Sequence, residues 1–211
     1  MKIKFTIILL VFSLHAWADP VVQLNDLLSA MQTLQVDFTM EIRNQADNEL
    51  VEETNGQLSL QRPGYFNVHT REPFEQYLIS DRQKLWTYDV EVDQATVEAV
   101  DERLQQTPFL LLSGDIEAIR ANFKVYEPVI NGKQQRFTLS PLDTLASYDN
   151  VVLRFDDKIL KGMSWTNSLD EKNNIEFSKI RFNQKLPDNL FTFIAPEGVL
   201  VTDKNGLTVS P

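Results

Sequence analysis

Side chains that commonly perform catalysis or bind metals are scarce in this sequence. The chain has no cysteine and two histidines, His15 and His69. Beyond the first 18 residues, a Ser-His-Asp triad would have to use His69, whose surroundings, FNVHTREP (66–73), contain no nucleophile elbow. Metal sites built from histidine and cysteine are excluded by the number of these residues. We therefore expect His69 to be a polar residue on the outward face of a strand.

Carboxylates are abundant, but their spacing does not indicate a site. The segments DVEVD (89–93) and DEKNN (170–174) are acidic or amide-rich and lack calcium-loop spacing, so we interpret both as solvated turns. A pair of carboxylates for glycoside hydrolysis stays open as an alternative, although no pair stands out. With seven glycines in the chain, there is no glycine-rich phosphate loop. The sequence therefore predicts a protein that is not an enzyme and needs no cofactor.

One arginine stands at an unusual place. In the segment LQRPGYFNVH (60–69), Arg62 ends a strand-like stretch, and a Pro-Gly turn separates it from a second alternating stretch. Composition and pattern alone indicate a solvated strand end.

The first 18 residues have the pattern of a cleaved signal peptide. Lys2 and Lys4 precede an apolar run, and Ala16-Trp17-Ala18 supplies the small-x-small pattern of a cleavage site. The apolar run is shorter than the roughly 20 residues that span a bilayer. We expect the mature protein to begin at Asp19, to be exported to the periplasm, and to carry no lipid anchor, because no cysteine follows the cleavage site.

The expected mature chain is strongly acidic. Loss of Lys2 and Lys4 leaves 18 basic against 30 acidic side chains, a formal charge of −12. This charge disfavours nucleic acids and anionic membrane surfaces as partners. Residues 19–211 fit a single domain with a sizeable core, and no repeat or linker marks a boundary.

Hydrophobic periodicity predicts one helix followed by many strands. A stripe of Leu24, Leu27, Leu28, Met31 and Leu34 predicts an opening helix. The period then changes to two, predicting a strand over 36–42 and a second that ends at Leu60.

Further strand-like segments follow at short spacing, and the middle of the chain differs from them. Residues 107–123 read as two short helices. The strands are predicted at 66–70, 75–80, 85–89, 95–100, 124–127, 136–140, 151–155, 162–166, 175–182 and 190–193. The fold prediction is mainly β, of the α+β class: about eleven strands in a large curved antiparallel sheet, with three helices covering its apolar face. Periodicity leaves open whether the space beneath the helices is a filled core or a ligand cavity.

Aromatic residues recur within the strand patterns and supply a large apolar interior. They include Phe38, Phe66, Trp86, Phe109, Phe137, Phe155, Trp165, Phe177, Phe182, Phe191 and Phe193. An acidic exported protein with such an interior and no catalytic set suits a carrier of hydrophobic cargo.

Four segments resemble a known family. They are GQLSLQRPGYFNVH (56–69), YLISDRQKLWTYDVEVDQATV (77–97), TPFLLLSG (107–114) and FTFIAPEGVLV (191–201). Their order and spacing resemble the LolA family of periplasmic outer-membrane lipoprotein carriers, from Asp19 to about Asp203. The resemblance implies an incomplete antiparallel β-barrel closed by a lid of three helices around an apolar cavity. It also implies a monomer that takes triacylated lipoproteins from the inner-membrane ABC transporter LolCDE and delivers them to the outer-membrane receptor LolB.

The same resemblance implies roles for particular residues. Arg62 would act as a lid latch, donating hydrogen bonds to helix carbonyls near Leu28 and near Leu112 and Ser113. Arg62 and Phe66 would contact partners at the mouth of the cavity. The acyl-chain cavity would be lined by Leu28, Met31, Phe38, Phe66, Val68, Trp86, Phe109, Leu110 and Leu112. Val68 replaces a tryptophan of well-known members, which bears on the shape of the cavity, and Asp81-Arg82 replaces a common Asp-Gly turn.

Three other readings stay open at this point. The chain could carry a different lipid such as a glycolipid, it could be a lipid sensor like the LolA-like domain of RseB, or it could be a periplasmic hydrolase. The tail after Asp203, KNGLTVSP (204–211), is expected to add an edge strand.

Overall fold

A computed structural model describes residues 19–100, 108–112, 116–203 and 207. The expected signal peptide, Ser113 and nearly all of the tail after Asp203 lie outside these residues. The described chain is mainly β, with thirteen strands in one sheet, two α-helices and two short 3₁₀ helices. The strands are β1 Thr33–Asn44, β2 Leu50–Gln61, β3 Tyr65–Glu72, β4 Gln76–Asp81, β5 Lys84–Asp89, β6 Gln94–Ala99, β7 Phe123–Val125, β8 Val129–Asn131, β9 Gln134–Pro141, β10 Val151–Asp156, β11 Ile159–Thr166, β12 Glu171–Phe182 and β13 Leu200–Asp203. The helices are α1 Pro20–Ser29 and α2 Ile116–Asn122, and the 3₁₀ helices are Pro108–Leu112 and Asp188–Phe191.

The sheet is open and almost entirely antiparallel. Its strand order is β13-β6-β5-β4-β3-β2-β1-β12-β11-β10-β9-β7, with β8 paired to β9. The pairing of β13 with β6 is parallel. In the middle of the sheet the first strand, β1, pairs with β12, which lies near the end of the sequence. In the part of the chain that the structure describes, no helix is long and apolar enough to cross a membrane.

The predicted count of about eleven strands is not confirmed. The sequence pattern missed β8 and β13, which have three and four residues and are too short to show alternation. It also assigned a strand to 190–193, where the structure has the end of a 3₁₀ helix, Asp188–Phe191. These differences all involve short elements at the periphery of the sheet.

Helix α1 begins at the first residues of the expected mature chain. The Asp19 side chain accepts a hydrogen bond from the Val21 amide at 2.9 Å and so caps the helix. Arg120 on α2 donates to the other Asp19 carboxylate oxygen at 2.7 Å, and this hydrogen bond lowers the pKa of Asp19. One acidic residue thus starts α1 and connects it to α2.

The predicted opening helix is too long at its C-terminal end. Helix α1 stops at Ser29, and Leu34 already belongs to β1, where it pairs with Leu60 on one side and Phe182 on the other. Met31 lies in the connection between α1 and β1. Both residues are buried, because the turn brings them back into the core that the helix covers.

Apolar side chains form two separate clusters. The main core lies between the sheet and both helices and contains buried residues from α1, α2 and most strands. The second cluster, on strands β4–β6 and β13, consists of Ile79, Trp86, Ala95 and Val201, with Phe193 and other partly buried residues packed against it. The sheet therefore buries apolar side chains on both faces at its β4–β6 end.

Candidate functional site

The main core brings together most of the side chains that were expected to line a cavity. The expected residues buried within it are Leu28, Met31, Phe38, Phe66, Val68 and Leu112. The structure does not describe the side chains of Phe109 and Leu110. The described members come from α1, the α1–β1 connection, β1, β3 and the 3₁₀ helix Pro108–Leu112, so they converge on one place from distant parts of the sequence.

Trp86 does not lie in this group. Its neighbour Leu85 enters the main core, whereas Trp86 points to the other face and stacks on Phe193 with ring centroids 5.1 Å apart. The expectation that Trp86 lines the same apolar interior is therefore wrong for this structure. The C-terminal segment covers Trp86 and holds β13 against β6.

Helices α1 and α2 and the 3₁₀ helix Pro108–Leu112 cover the main core with seven buried apolar side chains among the residues whose side chains the structure describes. From α1 these are Val21, Leu24, Leu27 and Leu28, and from the other two elements Leu111, Leu112 and Ile119. Each such side chain contributes about 1.5–3 kcal/mol when fully buried. Apolar packing of these side chains therefore makes a substantial contribution to holding the helices on the sheet.

Arg62 connects the end of β2 to the C-terminal side of α1. Its backbone amide donates to the Gln32 carbonyl at 2.9 Å, and its side-chain Nε donates to the Met31 carbonyl at 3.2 Å. Burial lowers the pKa of the guanidinium to about 10, which still leaves it protonated at neutral pH. Arg62 is thus a largely buried cation that contacts a helix-proximal carbonyl, and the solvated strand end inferred from composition is wrong.

On the α1 side, Arg62 contacts a carbonyl close to the expected position near Leu28. The Leu28 carbonyl accepts a hydrogen bond from the Met31 amide at 3.1 Å, as part of the turn that ends α1. The Met31 carbonyl, three residues further along, accepts from Arg62 Nε. Leu112 is buried in the main core. Ser113 lies outside the described residues.

Asn183 holds the same connection from the other side, and sequence reasoning missed it. Its side-chain amide donates to the Ala30 carbonyl at 2.9 Å, and its Oδ1 accepts from the Gln32 amide at 2.8 Å. Asn183 has a φ of +57°, which asparagine tolerates better than most residues. The three-residue connection Ala30–Met31–Gln32 is therefore held by Asn183 after β12 and by Arg62 after β2.

We expect the Asn183→Gly substitution to loosen this connection. Glycine keeps the positive φ but loses two partly solvated hydrogen bonds, a cost of about 1–2 kcal/mol. Hydrogen exchange at the Gln32 amide should accelerate by about 5- to 30-fold. The matched control is Asn48→Gly, which has a φ of +61° and whose side-chain amide bonds no described residue. Equal exchange at Gln32 in both variants would show that Asn183 does not hold the connection.

Phe66 is placed differently from an exposed partner contact. It lies on β3 opposite Leu60, and only 1% of its surface is accessible. The neighbouring Tyr65 faces outwards, with its ring 5.7 Å from that of Phe191 and with the Arg82 guanidinium 5.6 Å from its centroid. In this closed structure Phe66 belongs to the interior.

Asp81-Arg82 forms a tight turn although it lacks the glycine of the common Asp-Gly turn. Arg82 takes a φ of +83°, a conformation that glycine adopts without steric cost. The Asp81 carboxylate accepts from the amides of Gln83 and Lys84 at 3.0 and 2.7 Å. The absence of glycine is thus accommodated within the turn, and Arg82 gains its contact with Tyr65.

His69 has structural partners on the face opposite the main core. Its Nε2 lies 2.8 Å from Glu75 Oε1, and its ring stacks on Tyr77 with centroids 4.2 Å apart. The hydrogen bond from His69 is the largest cause of a lowered pKa at Glu75. Searching the described residues finds no group of three or more acidic, histidine or cysteine side chains placed to hold a metal ion.

Comparison with known proteins identifies relatives over most of the chain. The family model described as "Outer membrane lipoprotein carrier protein LolA" matches residues 29–194. An outer-membrane lipoprotein carrier protein from Pseudomonas fluorescens Pf-5 is 37% identical over 193 residues, covering 90% of this chain and 92% of the relative. One from Pseudomonas putida GB-1 is 34% identical, covering 87% and 88% of the two chains.

Solved structures agree with the architecture. A putative outer membrane lipoprotein-sorting protein domain from Vibrio parahaemolyticus has a TM-score of 0.52 at 15% identity, covering 82% of this chain and 94% of its own. A LolA superfamily protein from Nitrosomonas europaea has a TM-score of 0.51 at 13% identity, with coverages of 83% and 99%. At these identities the likeness concerns the fold alone.

Proposed function

This chain belongs to the LolA family of outer membrane lipoprotein carriers, and we propose that it carries triacylated lipoproteins through the periplasm as a monomer without catalysing a reaction. The donor is the inner-membrane transporter LolCDE, and the acceptor is the outer-membrane receptor LolB. The acyl chains enter between the sheet and a lid formed by α1, the segment around Pro108–Leu112 and α2. The leader at residues 1–18 directs export and is removed.

The observation that carries this proposal is the main core itself. It is one continuous apolar cluster that joins the covering helices to the sheet and contains Leu28, Met31, Phe38, Phe66, Val68 and Leu112. When the helices move away, these side chains become the walls of an apolar cavity. When cargo leaves, the same side chains pack against one another again, so the empty protein fills its own cavity.

The energy of acyl-chain burial explains why the core side chains must compete with the cargo for the cavity. Three chains of about 15 methylenes would gain roughly 36 kcal/mol relative to water at about 0.8 kcal/mol per methylene. Non-covalent affinities end near 18–21 kcal/mol. A cavity that covered all three chains completely would never release them, so a working carrier must hold the chains incompletely.

Arg62 makes a second contribution to the free energy that favours release of the cargo. Its hydrogen bond to the Met31 carbonyl exists in the closed structure, and movement of α1 away from β2 breaks it. The guanidinium stays charged around neutral pH, so this latch does not titrate in the periplasm. In the open state Phe66 becomes accessible at the mouth of the cavity, where it contacts partners together with Arg62.

Mass spectrometry of material that copurifies with the periplasmic protein tests the proposal. We expect triacylated lipoproteins in about one-to-one ratio with the carrier, and their loss when the covering face is made polar by Leu24→Asp. Recovery of free glycolipid without lipoprotein would contradict the lipoprotein assignment. The fold of the Leu24→Asp variant would be confirmed by circular dichroism.

A further inference from the structure

A second polar site lies at the other end of the sheet, on strands β9–β12. Two cavities of about 540 and 400 Å³ adjoin each other there and share Arg136 and Arg154. These arginines alternate along their strands with Phe137, Leu153 and Phe155, which are buried in the main core. The arginines therefore lie on the face of the sheet opposite the core, away from Arg62 and the lid.

The smaller cavity has an unusual charge for so acidic a protein. Its lining includes three cations, Arg136, Arg154 and Lys172, and none of the nine described residues that line it is acidic. The whole chain has 30 acidic and 20 basic residues. The lining of the adjoining larger cavity also includes Lys161, Asp156 and Glu176, so the positive charge is concentrated in the smaller cavity, where it attracts anions.

Arg136 and Arg154 are placed directly opposite each other on neighbouring antiparallel strands. Like charges at such positions destabilise a sheet. Arg154 is partly neutralised, because its Nη2 donates to Glu176 Oε1 at 2.7 Å and to the Ile175 carbonyl at 3.0 Å. Arg136 and Lys172 form no ion pair with any residue that the structure describes, so their charges are available to a ligand.

Gly162 allows this arrangement. It pairs with Arg154 on one side and Glu176 on the other, so the Arg154 side chain crosses β11 above it. A Cβ at position 162 would collide with the Arg154 guanidinium and with the Ile175 carbonyl. The glycine thus leaves the space that the Arg154 guanidinium occupies between the two cavities.

The uncharged polar residues among the remaining lining residues are suited to hydrogen bonding with a peptide. The smaller cavity also presents Asn150, Ser164, Thr166 and Asn174, and the larger one presents Asn131, Gln134 and Gln135. Amides and hydroxyls can both donate to and accept from a peptide backbone. An anionic bilayer is a poorer fit, because Asp156 and Glu176 line the adjoining cavity and a flat membrane would meet such carboxylates within the Debye length of about 10 Å.

We propose that this cationic groove binds an acidic, extended polypeptide segment, with carboxylates on Arg136, Arg154 and Lys172. The inference is independent of acyl-chain binding, because the groove and the lid lie on opposite faces of the sheet. In a carrier whose interior takes the lipid, such a groove would hold a polypeptide that stays outside.

Nuclear magnetic resonance titration with a defined peptide tests this site. The probe is an eight-residue peptide of alternating glutamate and serine with blocked termini, and the neutral probe has glutamine for each glutamate. We expect amide shifts confined to β9–β12, a Kd below about 1 mM at low salt, and weakening on addition of sodium chloride. The neutral peptide should bind at least 10-fold more weakly.

Charge-matched variants distinguish binding in the groove from general electrostatic attraction to the protein. Arg136→Gln with Lys172→Gln should weaken binding of the acidic peptide at least 10-fold. Lys84→Gln with Lys185→Gln removes the same charge outside the groove and should change the Kd by less than 3-fold. Equal weakening by both pairs, equal binding of the neutral peptide, or no binding of the acidic peptide would overturn the proposal. Tighter binding of inorganic phosphate or of phosphatidylglycerol vesicles than of the peptide would also overturn it.

Discussion

The Arg62→Leu variant should accept lipoprotein cargo as the wild type does and release it to LolB with a transfer equilibrium shifted by about 10- to 150-fold against release. The closed, empty protein has the hydrogen bond from Arg62 Nε to the Met31 carbonyl. The open, loaded protein lacks this bond in our account, so its removal destabilises only the state that follows release. A hydrogen bond from a charged group contributes about 1.5–3 kcal/mol, which corresponds to that range.

Two further variants make this result specific. Arg62→Lys keeps the charge but loses the planar fork, so we expect an intermediate shift. Arg181→Leu removes an exposed arginine of β12 that lies opposite Gln35 of β1, and we expect no shift. The measurement is the fraction of a fluorescent triacylated lipopeptide transferred from the loaded carrier to LolB. Wild-type transfer by Arg62→Leu would contradict the latch.

The Gly56→Ala substitution should have the largest effect on stability, a loss of about 3 kcal/mol, at the upper end of the usual cost of overpacking. Gly56 pairs with Phe38 across β1 and β2. A Cβ at this position would fall 2.7 Å from the Phe38 ring and would collide with the His69 backbone carbonyl. The carbonyl belongs to β3 and cannot move without disturbing the pairing of β2 with β3.

Thermal or urea unfolding measures this effect. For a domain of this size, a loss of about 3 kcal/mol lowers the Tm by roughly 6–12 °C. The matched control is Gly132→Ala, because a Cβ there meets nothing within 4 Å. The φ of +60° at Gly132 is the one unfavourable feature for alanine, and it lowers the free energy of unfolding by about 1–2 kcal/mol. Equal losses in both variants would show that Gly56 is not sterically required.

The strands were predictable where alternation is long and one face is buried. In β1, Val36 and Phe38 alternate with polar residues, and the structure buries both. The boundary between α1 and β1 was not predictable from the apolar stripe, because Leu34 continues the helical spacing. Pairing of Leu34 with Leu60 and Phe182 decides in favour of the strand, and those partners are distant in sequence.

The orientation of adjacent apolar residues was also beyond the sequence. Leu85 and Trp86 are both apolar and neighbouring, so a period of two cannot say which of them faces the main core. The segment that covers Trp86 comes from the C-terminal part of the chain. Most strands bury one face, but β5 buries apolar side chains on both faces, so alternation of apolar and polar residues gives no signal there.

Residues that hold backbone groups by long-range hydrogen bonds left the least trace in the sequence. Asn183 binds Ala30 and Gln32 across more than 150 positions, and no local pattern marks it. Arg62 was singled out by resemblance to a family, while composition indicated a solvated position. The Met31 carbonyl, which accepts from Arg62 Nε, is a backbone group that residue types cannot identify.

The movement of α1 away from the sheet is the central claim, and the distance between α1 and β2 tests it most directly. The chain has no cysteine, so spin labels can be attached at Asp26→Cys on α1 and Glu53→Cys on β2, both of which are exposed positions. Pulsed electron paramagnetic resonance then gives the distance distribution with and without a triacylated lipopeptide. We expect one short distance in the empty protein, a longer distance after stoichiometric loading, and a mixture of both in empty Arg62→Leu. An unchanged distribution in the fully loaded protein would contradict the account.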